Sequence, residues 1–161
     1  DMERGNILEP VAAEMFTEIY GKELFEIGWA EIDEFIGISP DRLVGEVSEN
    51  VKEGLEIKCP AKNTYAKYLC NNQLPVDDYC WQIVQYFVVF EKLEKLNLML
   101  FRPENLIKNH IICEITPETV INVITKIALP VSELVVKAKI RFAELKKALD
   151  NKVIELTAPK F

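Results

Sequence analysis

Three residues in this chain could do chemistry together: Asp41, Glu56 and Lys58. They lie in residues 37–60, GISPDRLVGEVSENVKEGLEIKCP. Asp41 and Glu56 are hard oxygen donors about fifteen residues apart, on what read as neighbouring short strands. Such a pair suits Mg²⁺, which keeps several waters and binds through one or two carboxylates plus the phosphate oxygens of a substrate. Lys58 follows two residues after Glu56, on the same side of the strand. A lysine beside a metal can position or deprotonate a water and neutralise charge building on a phosphate. The chemistry that fits is hydrolysis of a phosphodiester. Taken alone, the strand is better read as an ordinary surface strand with a weak Glu–Lys pair.

The surrounding elements must position these groups. Pro40 ends ladder pairing, so Asp41 is expected at a strand end or bend. In the strand at 55–58, Glu56 and Lys58 face a cleft while Leu55 and Ile57 face the core. Residues 43–45 read as another short strand, and 46–54 as a polar hairpin loop closed by Gly54. Residues 23–29 and 32–39 read as two strands with a turn at 30–33, and Gly37 marks close approach by another backbone or a ligand. Ahead of them, residues 5–20 carry one apolar stripe at helical spacing. Pro10 sets the start of that helix near Asn6, Gly21 stops it, and Glu9 falls in the first turn, where the dipole favours a carboxylate. Beyond the strand, 61–71 reads as a short helix, and Asp77 or Asp78 is a candidate cap for the next. Residues 79–92 form a strongly apolar helix on which Gln82 and Tyr86, four apart, share a face with Tyr79. Two strands at 96–101 and 111–115 flank a loop that contains His110, the only histidine. Thr116-Pro117-Glu118 resembles a helix start, Pro130 a break or kink, and 132–147 an amphipathic helix, with a loosely held tail after it. The order implies an α/β (α+β) class: a mixed central sheet flanked by helices, in a single domain over residues 1–161.

Composition sets limits. At 161 residues, 49% hydrophobic and 28% charged, the chain has the make-up of an ordinary soluble domain with a real core. No apolar run approaches the length of a membrane span, and the opening residues are polar, so no membrane role is expected. Cysteines at 59, 70, 80 and 113 match neither a Cys-x-x-Cys pair nor a disulfide framework, which suggests reduced thiols and a cytoplasmic setting. The net charge of −7 argues on its own against a nucleic-acid binder. That signal is weak, because a metal site must gather carboxylates and a basic groove can coexist with an acidic back.

The spacing SPD…EIK resembles the PD-(D/E)XK nuclease core, whose fold is restriction-endonuclease-like. The context is more specific. ERGNILEPVAAEMFTEIYG, GISPDRLVG, LEIKCP, LP and YCWQIVQY, in that order, are similar to the lambda-exonuclease or YqaJ-type viral recombinase group, over residues from about Arg4 to Phe101. The resemblance implies a Mg²⁺-dependent exonuclease, with Mn²⁺ able to substitute, acting 5′→3′ on double-stranded DNA ends in phage-type recombination. It implies Asp41, Glu56, the Ile57 carbonyl and Glu9 as metal ligands, Lys58 as the catalytic lysine, and Gln82 as an orienting group. Ser39, Gln85, Tyr86 and Arg42 are then expected at the DNA. Lys62, Lys67 and Arg102 are further candidate backbone contacts, for which solvated surface charge is the more ordinary role. A single-strand annealing protein is the expected partner and a homotrimer the expected assembly. The family's N-terminal segment, which helps hold the 5′ end, is expected to be missing here. The alternatives are an endonuclease or nickase on the same core, and a non-catalytic DNA-binding subunit.

Overall fold

A computed structural model of the chain describes residues 2–48, 50–70, 75–123 and 127–157. Helix α1 (Met2–Tyr20) opens the chain. It starts earlier than Pro10 suggests, and Pro10 sits inside it. The break is tolerated because Pro10 and Asn6, whose carbonyl loses its helical donor, are both solvent-exposed. Glu9 is therefore well inside the helix. Gly21 closes it as expected, with φ at 64° and its N–H on the Thr17 carbonyl at 2.8 Å.

The main sheet is mixed. Strands β1 (Leu24–Phe25), β4 (Arg42–Val44), β5 (Glu53–Lys58), β6 (Lys95–Phe101) and β7 (His110–Ile115) lie side by side in that order. Only the β5–β6 pair is parallel. A separate hairpin of β2 (Ala30–Asp33) and β3 (Ile36–Ile38) intervenes in sequence between β1 and β4. Its turn lies at Glu34-Phe35 rather than at 30–33. The Asp33 carboxylate accepts the Phe35 and Ile36 N–H groups at 2.9 and 3.0 Å, a side-chain-closed turn that overrides the sequence expectation. The close approach at Gly37 is real, and its cause is the Trp29 ring: a Cβ there would meet the indole at 2.3 Å.

Alternation along β5 splits the core in two. Leu55 and Ile57 join Met99, Phe101 and the α1 residues Ala12, Ala13 and Phe16 on one face. On the other face the sheet packs against α3 (Cys80–Val89) and α4 (Val131–Thr157), with Ile83, Phe87, Leu96, Leu98 and Leu134 among the buried residues. Between β5 and α3, helix α2 (Lys62–Cys70) adds a smaller cluster of Tyr65, Tyr68 and Leu100. Truncating a wholly buried side chain such as Leu55 is expected to cost about 2–5 kcal/mol.

The C-terminal part differs from expectation. Thr116-Pro117-Glu118 starts no helix. The Thr116 N–H bonds the Thr119 hydroxyl at 2.9 Å, making a tight turn into a hairpin of β8 (Val120–Asn122) and β9 (Ala128–Pro130). The alternating β-branched run after Thr119 outweighs the helix-start signature. Pro130 precedes α4 rather than kinking it, and α4 continues through 151–157 of the expected tail, whose last residues, 158–161, lie outside the described residues. Neither aspartate caps α3. Asp77 instead accepts the Asn122 backbone N–H and side-chain amide, and Asp78 accepts the Tyr68 hydroxyl at 2.6 Å. No described helix is long and apolar enough to cross a membrane. The four cysteines are free.

Candidate active site

The site forms where β4 gives out. The antiparallel register pairs Arg42 with Leu55 and goes no further, because the chain turns away at Pro40. Asp41 stands at that bend and its carboxylate replaces the missing strand: Oδ2 accepts the Ile57 N–H at 2.7 Å. A strand residue's N–H and C=O leave on the same edge. The Ile57 carbonyl thus lies on the Asp41 side, beyond the paired part of β5.

Glu56 points to the opposite face and is 1% exposed. A buried carboxylate needs donors, and Glu56 has three. Lys58 and the Gln82 amide donate to Oε1, and the Tyr86 hydroxyl donates to Oε2 at 2.6 Å. The same Tyr86 oxygen accepts the Asp41 N–H at 3.1 Å, so one phenol ties both acidic positions together. Local sequence makes this possible. Gly54, two residues before Glu56 on the same face, leaves space for the ring; a Cβ there would lie 3.5 Å from Tyr86 and 3.2 Å from Leu96. Helical spacing on α3 then sets Gln82 one turn from Tyr86. Lys58 also lies over the Tyr79 ring, 5.7 Å from its centroid.

Burial pushes the Asp41 carboxyl up to about 7, and the neighbouring Glu56 charge adds to the rise. Burial and the same charge push the Tyr86 hydroxyl well above its ordinary value, so it remains a donor. Glu9 approaches from α1 and is held by Arg42, whose guanidinium donates to Oε1 at 2.9 Å and also to the Asp41 carbonyl. Arg42 lies 3.5 Å from Glu26 as well. A cleft of about 350 Å³ opens between α1 and β5, lined by Glu9, Asp41, Ile57, Lys58 and Cys59 with Gly5 and Asn6. A larger hollow beside α1 meets the site only at Arg42 and includes none of Asp41, Glu56 or Lys58.

The structure thus brings together Glu9, Asp41, Glu56, Ile57, Lys58, Gln82 and Tyr86. The residues expected at DNA are placed differently. Tyr86 is wholly buried and holds the Glu56 carboxylate and the Asp41 N–H, so it has no surface to offer a nucleic acid. Arg42 is 9% exposed and committed to Glu9 and Glu26. Gln85 donates to the Gly37 carbonyl, and Ser39 donates to the Gly28 carbonyl at 2.7 Å, so both brace the β2–β3 hairpin. Sequence reasoning missed Arg4, which donates to the Cys59 carbonyl at 2.8 Å, and gave Arg102 only as a candidate DNA contact, whereas it donates to the Pro60 carbonyl at 3.0 Å. Together they pin the segment after Lys58 from two sides. Neither contact has a local signal, since the partners are 55 and 42 residues apart. Gly54 inside a strand was a legible signal of a close contact.

The donor set suits a hard divalent ion. Asp41, Glu9 and the Ile57 backbone line an open cleft, while Glu56, expected to face it, is buried behind Asp41 on the α3 side, where its donors hold it; burial next to Glu56 leaves Asp41 in want of positive charge. Among the described residues no three His, Cys, Asp or Glu side chains make a ready cage.

The fold is similar to the crystal structure of an alkaline exonuclease, LHK-Exo, from Laribacter hongkongensis, with a TM-score of 0.67 and 21% identity over 97% of this chain and 75% of that chain. The structure of LHK-Exo in complex with dAMP matches to the same extent. No curated protein sequence matches significantly. A model of the YqaJ-like viral recombinase domain matches residues 1–92, which span α1 through α3 and every residue of the site. The chain belongs to the YqaJ-like viral recombinase family.

Proposed function

We propose that the chain is a divalent-metal-dependent deoxyribonuclease: an exonuclease that hydrolyses phosphodiester bonds at duplex DNA ends, 5′→3′, within phage-type recombination by single-strand annealing. The observation that carries this reading is the tie between Asp41 and Glu56 through Tyr86, with Lys58 on Glu56 beside an open cleft. Family membership and the likeness to an alkaline exonuclease support the same chemistry.

Asp41, Glu56 and the Ile57 carbonyl would hold Mg²⁺ or Mn²⁺, with Glu9 close by. Bound there, the ion supplies positive charge against the scissile phosphate and acidifies water at the site. The protein's own groups do the rest. Lys58 presents an ammonium whose position is fixed by the Glu56 carboxylate, where it offsets charge building on the phosphate oxygens. Gln82 fixes Glu56 from α3 and offers an amide to an incoming water or phosphate oxygen. Tyr86 never meets substrate; it sets the separation of the two carboxylates. Water oxygen bonds to phosphorus and releases a proton to solvent, the P–O bond to the leaving nucleotide breaks, and the leaving oxygen takes a proton from solvent.

The test is digestion of end-labelled linear duplex, with and without a 5′-phosphate and with and without Mg²⁺, beside a covalently closed circle. Release of mononucleotides from the linear duplex alone, dependent on the ion, is the expected result. Cutting of the closed circle would make the protein an endonuclease on the same core. No cutting of either substrate, with retained DNA binding, would make it a binding subunit.

A further inference from the structure

The loop between β6 and β7 displays its two aliphatic side chains to solvent. Leu106 is 98% exposed and Ile107 93%, the two highest values among the exposed large hydrophobic residues. Exposed aliphatics usually mark a floppy tip, but this loop is braced. The Arg102 N–H bonds the Asn109 carbonyl at 2.7 Å, closing the base. The Asn105 carboxamide oxygen accepts the Ile107 and Lys108 N–H groups at 3.0 and 3.3 Å, closing the tip. The buried Tyr65 of α2 donates to the Lys108 carbonyl at 2.7 Å. The loop is also tied to the site, because Arg102 bonds the Pro60 carbonyl, two residues beyond Lys58.

The charge around this tip is opposite to that of the chain. The whole chain has 19 basic and 26 acidic residues. Residues 61–70 and 102–109 together carry Lys62, Lys67, Arg102 and Lys108 against a single acid, Glu104. Glu104 is itself paired with Arg4 at 3.0 Å and lies 3.8 Å from Arg102. Lys62, Arg102, Leu106 and Ile107 border one hollow of about 480 Å³. Aliphatic side chains projecting from a braced, cationic rim are what a protein uses to press between base steps from the minor groove while lysines meet the flanking phosphates.

We propose that the β6–β7 loop is a duplex-seating element, with Leu106 and Ile107 entering the minor groove and Lys62 and Lys108 contacting phosphates, which holds the DNA beside Lys58. This rests on the nuclease reading and adds where the uncut duplex sits. An uncut duplex is the partner the basic rim selects, because its phosphates present a regular, dense line of negative charge.

Both side chains are solvent-exposed, so the double variant Leu106→Ser/Ile107→Ser should keep the wild-type melting temperature. Its binding to a short fluorescent duplex is measured in a Lys58→Ala background, which prevents digestion. We expect about tenfold weaker binding with the salt dependence unchanged, and competition by netropsin, a minor-groove ligand, only against the protein with the intact loop. Lys62→Ala and Lys108→Ala should each lower the salt slope by about one. Equal affinity of the double variant and its parent overturns the proposal. So does a double variant that changes oligomeric state by light scattering while its DNA affinity is unchanged, which would make the tip a self-association surface. Failure of the wild-type protein either to bind or to digest the duplex overturns the nuclease reading itself, and is seen before any loop variant is made.

Discussion

The two sides of the site hold their carboxylates in opposite ways. On the α3 side, Glu56 is enclosed by two neutral donors, Gln82 and Tyr86, and by Lys58, which is a quarter exposed. On the α1 side, Glu9 faces an arginine that is almost fully enclosed and also grips the Asp41 carbonyl. Two of the donors on Glu56 are neutral and orient it without cancelling its charge, and its one cation, Lys58, is partly exposed. A fixed guanidinium cancels a carboxylate's charge and competes with any cation that approaches. The α3 side is therefore built to bind and the α1 side to restrain, so Glu9 should contribute to an ion only when Arg42 yields.

The largest effects should come from the α3 side. Glu56→Ala and Lys58→Ala should each lower digestion of end-labelled duplex by about a thousandfold or more. Wild-type rates in both variants would remove the basis for the assignment. Tyr86→Phe should cost about 1–3 kcal/mol in urea unfolding, since it strips one donor from buried Glu56 and an acceptor from the Asp41 N–H. It should also lower activity about 10- to 100-fold through loss of orientation.

A pH measurement sharpens the contrast at Asp41. Its folded-state carboxyl titrates near 7 against an ordinary 3.8, so the native protein holds the proton more tightly than the unfolded chain. Stability of the chelator-treated protein is then full below about pH 4 and falls as the pH rises through 7, by on the order of 4 kcal/mol from this group. Asp41→Asn should flatten that part of the melting-temperature profile while abolishing digestion, and Mn²⁺ should flatten it in the wild type. A wild-type profile with no such fall would mean that the Glu56 charge is already compensated at this position. The smallest effect belongs to the α1 side. Arg42→Met frees Glu9, and Mn²⁺ binding followed by calorimetry should tighten severalfold. Weaker binding would instead assign Arg42 a positioning role.

Some of this was legible from short-range pattern. Alternation placed Glu56 and Lys58 on one face of a strand, and a four-residue step placed Gln82 and Tyr86 on one face of a helix. Both depend only on backbone geometry. What Tyr86 does was not legible, because the choice between touching DNA and holding a carboxylate turns on burial, which follows from the space over Gly54. Arg42 shows the same limit. It sits in the motif itself, yet its partner Glu9 is 33 residues earlier, on an element that only tertiary packing brings near. Where element boundaries differed, one strong local interaction had prevailed over a statistical signal. The Asp33 side chain moved a turn, and a β-branched run turned an apparent helix start at Thr116 into a hairpin.

The ring of Trp29 lies against Gly37, its N–H on Glu31 at 2.9 Å, while the Gly37 carbonyl is bonded by Gln85. Four residues beyond Gly37 the chain reaches Asp41. The chain has only two tryptophans, so this indole is an optical reporter already in place. A shift of the hairpin on α3, as metal or DNA fills the neighbouring cleft, should change its emission. A Trp81→Phe background would isolate that signal and allow site occupancy to be followed in real time without an added dye.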